Sequence, residues 1–153
     1  MTTEPFGIGF TGTRRGMVPK QYAAFQQVLE HMTRVYGRTL HHGMCIGADF
    51  QAHHYAATLG MRRVLHPPVV RKYIASITTD PTMDTVRPAL EYRARNKLIV
   101  GETLCLIATP KEPIEAHGGG TWMTIRIARD LGRPIYIVWP DGHIRVEGKR
   151  DYA

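Results

Sequence analysis

Short apolar runs alternate along this chain with stretches of helical spacing. Phe6-Gly7-Ile8-Gly9-Phe10-Thr11 reads as a strand ending in a glycine-rich turn, Gly12 to Gly16. Pro19 then sits where a first helical turn tolerates proline, and Tyr22, Phe25, Val28, Leu29, Met32 and Val35 recur on one stripe until Gly37 stops the helix. A second strand over residues 39–46 leads into Gly47-Ala48-Asp49, where Asp49 is placed to cap a helix that runs to Leu59 and Gly60. Arg62 to Leu65 forms a short third strand. From Val69 to Arg87 the pattern weakens, which predicts a loop-rich insertion holding one short helix. Periodicity returns over residues 88–100, with Leu90, Ala94 and Leu98 on one face. Thr103 to Ala108 is nearly all apolar, as a fourth strand covered on both faces should be. A helix over Thr121 to Leu131 and a strand over Pro134 to Trp139 follow, and Asp141-Gly142 between two apolar runs predicts a small C-terminal hairpin.

Strand–helix alternation of this kind implies parallel strands joined by right-handed crossovers. The expected fold is α/β: a Rossmann-like domain with a mainly parallel five-stranded sheet, helices on both faces and the small hairpin. Its 153 residues fill one domain, 1–153, with no room for a second core. In open sheets ligands sit beyond the carboxyl ends of the strands, where strand order reverses. That rule selects the loops after the first, second and fourth strands: 12–16, 47–49 and 110–121.

Composition excludes several classes. With 43% hydrophobic and 22% charged residues the chain is neither disordered nor fibrous, and no apolar run approaches the roughly 18 residues that span a bilayer. Met1-Thr2-Thr3-Glu4-Pro5 lacks the basic segment and apolar stretch of a secretory signal, and the two cysteines, Cys45 and Cys105, lie inside apolar runs. A cytoplasmic location without disulfides is expected. Twenty Lys+Arg against thirteen Asp+Glu give a formal charge of +7, which fits a partner bearing negative charge. Arginine outnumbers lysine, and its planar fork is the better match to phosphate or carboxylate.

The three loops offer anion-binding chemistry. In Thr11-Gly12-Thr13-Arg14-Arg15-Gly16 the glycines let backbone approach a ligand, the two threonines supply hydroxyls and Arg14 a fork for a phosphate. Gly118-Gly119-Gly120-Thr121, directly after a buried strand, opens a helix with no bulky side chain in the way, a ready seat for phosphate. Thr121 could equally be the helix cap. Pro110 begins the same loop. Arg93, Arg95 and Lys97 project at different azimuths, so one of them, with Asn96, could reach the crevice. Asp49 could bind a ribose hydroxyl, act as a base or simply cap its helix, and it lies four residues from His53. The adjacent pairs His41-His42 and His53-His54 splay apart, so neither alone clamps a metal. The sequence calls for no metal and no cofactor, and it contains no serine-hydrolase elbow.

Taken in order, Gly9-Phe10-Thr11-Gly12-Thr13-Arg14, Gly47-Ala48-Asp49, Tyr92-Arg93-Ala94-Arg95-Asn96-Lys97 and Gly118-Gly119-Gly120-Thr121-Trp122, with Gly132-Arg133-Pro134 beyond, resemble the SLOG superfamily of Rossmann-like domains. That superfamily holds the LOG-type phosphoribohydrolases and the DNA-processing protein A family. The resemblance spans residues 6–139. It implies a nucleoside phosphate or ADP-ribose-like ligand, its phosphate against Gly118 to Thr121 and the first loop and its sugar near Asp49, with Gly47 also among the ligand-binding residues, and a homodimer as the working unit. It also raises the alternative of an N-glycosidase acting on nucleoside 5′-monophosphates, with Arg95 matching the family's arginine. LOG hydrolases place glutamates after their glycine motif, whereas this chain has Trp122-Met123-Thr124 there. Asp49 or Glu115 would then have to supply the acid or base, a role worth roughly 10²–10⁴ in rate. A single-stranded nucleic acid is a further candidate partner on charge alone, without the aromatic residues among the basic ones that such grooves use.

Overall fold

A computed structural model describes residues 4–148. The elements run β1 (Ile8–Gly12), α1 (Pro19–Tyr36), β2 (Thr39–His42), α2 (Ala48–Thr58), β3 (Arg62–Leu65), β4 (Asp84–Val86), α3 (Tyr92–Glu102), β5 (Cys105–Thr109), α4 (Gly120–Asp130), β6 (Ile135–Val138) and β7 (Ile144–Glu147). They form one sheet in the order β4-β3-β2-β1-β5-β6-β7, parallel except for the β6–β7 hairpin. The five expected strands are present and so is the hairpin, but the sheet has seven strands. The added edge strand β4 comes from the 69–87 segment, which also holds a single 3-10 turn at Arg71–Tyr73. No helix among the described residues is long and apolar enough to cross a membrane.

Side-chain alternation across β1, β5 and β6 divides the interior in two. Ile8, Phe10, Cys105, Ile107, Tyr136 and Val138 face α1 and α2, packing on Phe25, Leu29, Ala52 and Ala56. Leu106, Ala108, Ile135 and Ile137 face the other way, against Trp122, Ile125 and Ala128 of α4 and Val100 of α3. Phe10 meets Phe25 edge-to-face at 5.1 Å between ring centroids, a geometry aromatic pairs favour. At Gly9 an added Cβ would press on Thr103 Oγ1 and Ile99, so the missing side chain is what lets α3 lie close to the sheet.

Three local expectations change. The buried side of α3 is Arg95, Asn96, Ile99 and Val100, with Ala94 exposed: the helix turns its polar residues inward for reasons the cleft explains. Val35 is exposed at the end of α1, whose stripe is completed by Gln21 and Thr33. The second strand stops at His42, and residues 43–46 form a loop that includes Met44 at φ 57°.

Gln21 ties α1 to the ligand-side rim of the sheet. It is 1% exposed, and its Nε2 donates to the carbonyls of Pro110 and Val138, both at 2.8 Å. Gln21→Leu strands two buried carbonyls and should lower stability by about 1–3 kcal/mol in urea denaturation; an unchanged midpoint would mean that water replaces the amide.

Candidate functional site

The strand order reverses between the parallel strands β1 and β5, whose five register pairs run from Ile8–Cys105 to Gly12–Thr109. Both strands therefore end at one level, and a cleft of about 610 Å³ opens there. Thr11, Gly12, Thr13 and Arg14 line one wall, Gly118, Gly119, Gly120 and Thr121 the other, with Asp49, Arg95 and Asn96 also among the lining residues. Gly47 and Pro110 stand outside it. Gly47, at φ 85°, is a packing glycine: a Cβ there would collide with the backbone of Thr13 and Arg14. Pro110 contributes its carbonyl to Gln21.

The first loop is held from below. Thr13 N donates to Thr109 O at 3.1 Å, and Ala48 N donates to Thr13 O at 2.9 Å, which joins the start of α2 to the end of β1. The Thr13 hydroxyl accepts from Arg15 N at 3.1 Å, so it shapes the turn. Arg14 lies over the Tyr73 ring, 3.8 Å from the centroid, with Tyr92 5.4 Å away. Tyr73 belongs to the segment with weak periodicity and nothing in the sequence marks it. It is carried under the cleft by Ile46 N donating to Tyr73 O and by the bridge between Cys45 and Ile74.

The third-glycine loop contrasts with the first. A Cβ built on Gly118, Gly119 or Gly120 meets nothing within 4 Å, whereas one on Gly12 would strike Thr109, Ala48 and Phe10. Packing demands glycine at 12 and 47 but not at 118 or 120; at 119 the backbone does, with φ 96°. Helix α4 begins here with Gly119 as its N-cap and no side-chain cap, so Thr121 lies inside the first turn. The leading amides of a helix have no intrahelical acceptor and present partial positive charge. Arg14, Arg15 and Lys111 line the same cleft.

The floor is built from charge. Arg95 is 6% exposed, and its Nη1 donates to Gly43 O at 2.5 Å and His66 O at 3.1 Å, while Nε donates to Asn96 Oδ1 at 2.8 Å. Its guanidinium fixes the 43–45 loop, with Cys45 Sγ 3.8 Å from Nη1. Asp49 follows Gly47, the N-cap of α2, and does not cap; its Oδ2 accepts from Cys45 N at 3.1 Å. Burial raises the Asp49 carboxyl to about 6, with Arg95 and the amides of Cys45 and Gly43 pulling it back down. Asp49 and His53 turn to different partners: His53 Nδ1 lies 2.8 Å from His42 Nε2. Glu115 lies outside the cleft and pairs with Arg129 at 2.9 Å. Glu112 does line the cleft, accepting from Trp122 Nε1 at 3.1 Å; its place in the loop before the glycines was its only sequence signal.

No protein-family profile and no curated protein matches the sequence. Solved structures do. DNA processing protein A from Streptococcus pneumoniae superposes with a TM-score of 0.63 at 17% identity, covering 88% of this chain and 50% of that one. The molybdenum cofactor binding protein of the phototrophic bacterium Rippkaea orientalis gives 0.64 at 18% identity over 91% of this chain and 78% of that one. The Moco carrier protein of Chlamydomonas reinhardtii gives 0.52 at 16%, over 88% and 76%. The chain shares the α/β fold of these proteins. Similarity at this level of identity speaks for architecture. The chain spans half the length of the streptococcal protein.

The raised carboxyl has a measurable consequence. A folded-state pKa above the unfolded value of about 3.9 favours folding at low pH, and that stability disappears as pH rises through about 6. Relative to Asp49→Asn, the native chain should lose roughly 2–3 kcal/mol between pH 4 and pH 7. Parallel stability curves for the two proteins, measured by urea titration, would refute the assignment.

Proposed function

We propose that the cleft binds a nucleoside phosphate or ADP-ribose-like molecule, with its phosphate at residues 118–121 and the first loop and its sugar toward Asp49. The observation that carries this reading is the open space over Gly118 to Gly120. Glycines that no neighbour requires, at a helix start in a cleft also lined by Arg14, Arg15 and Lys111, are what close backbone approach by an anion needs. Tyr73 and Tyr92 add flat faces for a base or another ring system. The molybdenum cofactor is a second candidate for the same cleft, since two proteins of similar fold are named for it.

Turnover is the second reading, supported by one observation: a carboxyl poised near 6 on the cleft floor. In that reaction Asp49 would protonate the departing base or activate water for attack at the anomeric carbon of a nucleoside 5′-monophosphate. Arg95, engaged by two carbonyls, would act by holding the floor.

Gly120→Leu fills the open space without demanding a left-handed backbone, so it should leave the fold intact and weaken AMP or ADP-ribose binding by at least about tenfold in calorimetric titration, as expected when backbone can no longer approach the phosphate. Equal affinity in the two proteins would remove the phosphate from this loop. Incubation with AMP, CMP and other monophosphates, followed by chromatography for free base, separates a binder from a glycosidase.

A further inference from the structure

The cleft leaves a second buried polar group unused. His41 of β2 and His66, one residue beyond β3, are 0% and 1% exposed, and His41 Nδ1 lies 3.0 Å from His66 Nε2. Glu102, the last residue of α3, brings Oε1 to 3.6 Å from each of those nitrogens. Three donor atoms from three elements thus make a triangle with edges of 3.0, 3.6 and 3.6 Å.

As a hydrogen-bond network the triangle is poorly matched. Both rings are fully buried, and burial disfavours a charged imidazolium. A neutral imidazole has one N–H and one lone pair. One proton shared between the facing nitrogens engages both of them, so neither has an N–H left to donate to Glu102 Oε1, 3.6 Å from each. Of the outward atoms, His66 Nδ1 is buried with no hydrogen-bond partner. A cation takes up the lone pairs of both inward nitrogens together with the facing carboxylate oxygen, each ring keeping its one proton on its outward nitrogen. Tetrahedral zinc, with bonds of about 2.0–2.2 Å to nitrogen and oxygen, sets its donors about 3.3–3.5 Å apart, close to the edges observed.

We propose that His41, His66 and Glu102 form a site for a divalent transition-metal ion of the zinc class, its fourth position open past the one-fifth-exposed Glu102. Two imidazoles and one carboxylate suit zinc and exclude the all-oxygen preference of magnesium and calcium. Neither adjacent histidine pair builds the site; the parallel register of β2 on β3 does, setting His41 beside Val64, two residues before His66. Arg87 governs its strength. Its Nε and Nη2 donate to the same Glu102 Oε1 at 3.2 and 3.1 Å, orienting the carboxylate while setting a positive charge against the ion. His66 also accepts from Arg95 through its carbonyl, so an ion here braces the residue on which the cleft floor rests.

The test is a calorimetric titration of chelator-treated protein with ZnCl₂, repeated with cobalt(II) to read coordination from its visible absorption. One ion per chain is expected, with the intense bands of tetrahedral cobalt. Glu102→Gln should weaken binding at least about tenfold by removing a ligand charge, and Arg87→Met should strengthen it several-fold. His31→Ala, at an exposed histidine, should leave it unchanged. Both decisive substitutions lie at the partly exposed edge, which spares the buried histidines and the fold. Absence of saturable binding, or binding that neither Glu102→Gln nor Arg87→Met alters, would overturn the site. The result is independent of what the cleft binds.

Discussion

The unbroken ladder between β1 and β5 determines where everything else can go. Because the two strands leave the sheet together, with Thr13 N on Thr109 O extending the ladder by one bond, the chain must diverge at that point, one segment into α1 and the other into the loop before α4. The gap between those departures is the cleft. Parallel pairing aligns the chain ends, and twist and crossover handedness send the helices to opposite faces. Had the register slipped by one residue, Ile107 and Leu106 would exchange cores and the floor would lose its level.

Onto that frame the chain builds a floor that is unusually charged for so buried a place. Arg95 is compensated chiefly by carbonyl oxygens from Gly43 and His66. Asp49 lies on the other side of Gly43, where a Cβ would strike the guanidinium and come within 3.0 Å of the carboxylate. Glycine at 43 thus permits an acid and a base to share a small volume without a full ion pair, which leaves the acid's proton within reach of neutral pH. The inward turn of α3 follows from the same need, since only that helix can deliver a long cation beneath both loops.

Most of the architecture was legible because long elements impose period. The apolar runs at residues 8–10 and 103–108 and the stripe of α1 are signals that burial makes obligatory. The 39–46 run showed the limit of that signal: its apolar character continues past His42, where a left-handed Met44 ends the strand. Edge strand β4 was invisible for a different reason. It is three residues long, Thr85 and Val86 are exposed, and it is anchored by the Arg63–Asp84 pair at 2.6 Å rather than by alternation. The glycine loops could be read as a candidate site because their spacing is local. Tyr73 and the His41–His66–Glu102 group could not, because they meet only through strand register and the path of the 69–87 segment, which no local window contains. Asp49 was legible as a residue and misread as a cap: its side chain reaches back to Cys45.

The emptiness around residues 118–120 separates two demands that usually constrain one another. Gly12 and Gly47 are needed to assemble the molecule, and replacing either disturbs the join between β1 and α2. Gly118 and Gly120 answer to no internal neighbour. If the proposed ligand sits there, a lineage that abandoned it would keep folding normally while those two positions accumulated side chains, so among descendants the fate of 118 and 120 would record occupancy and the fate of 12 and 47 would record only foldability.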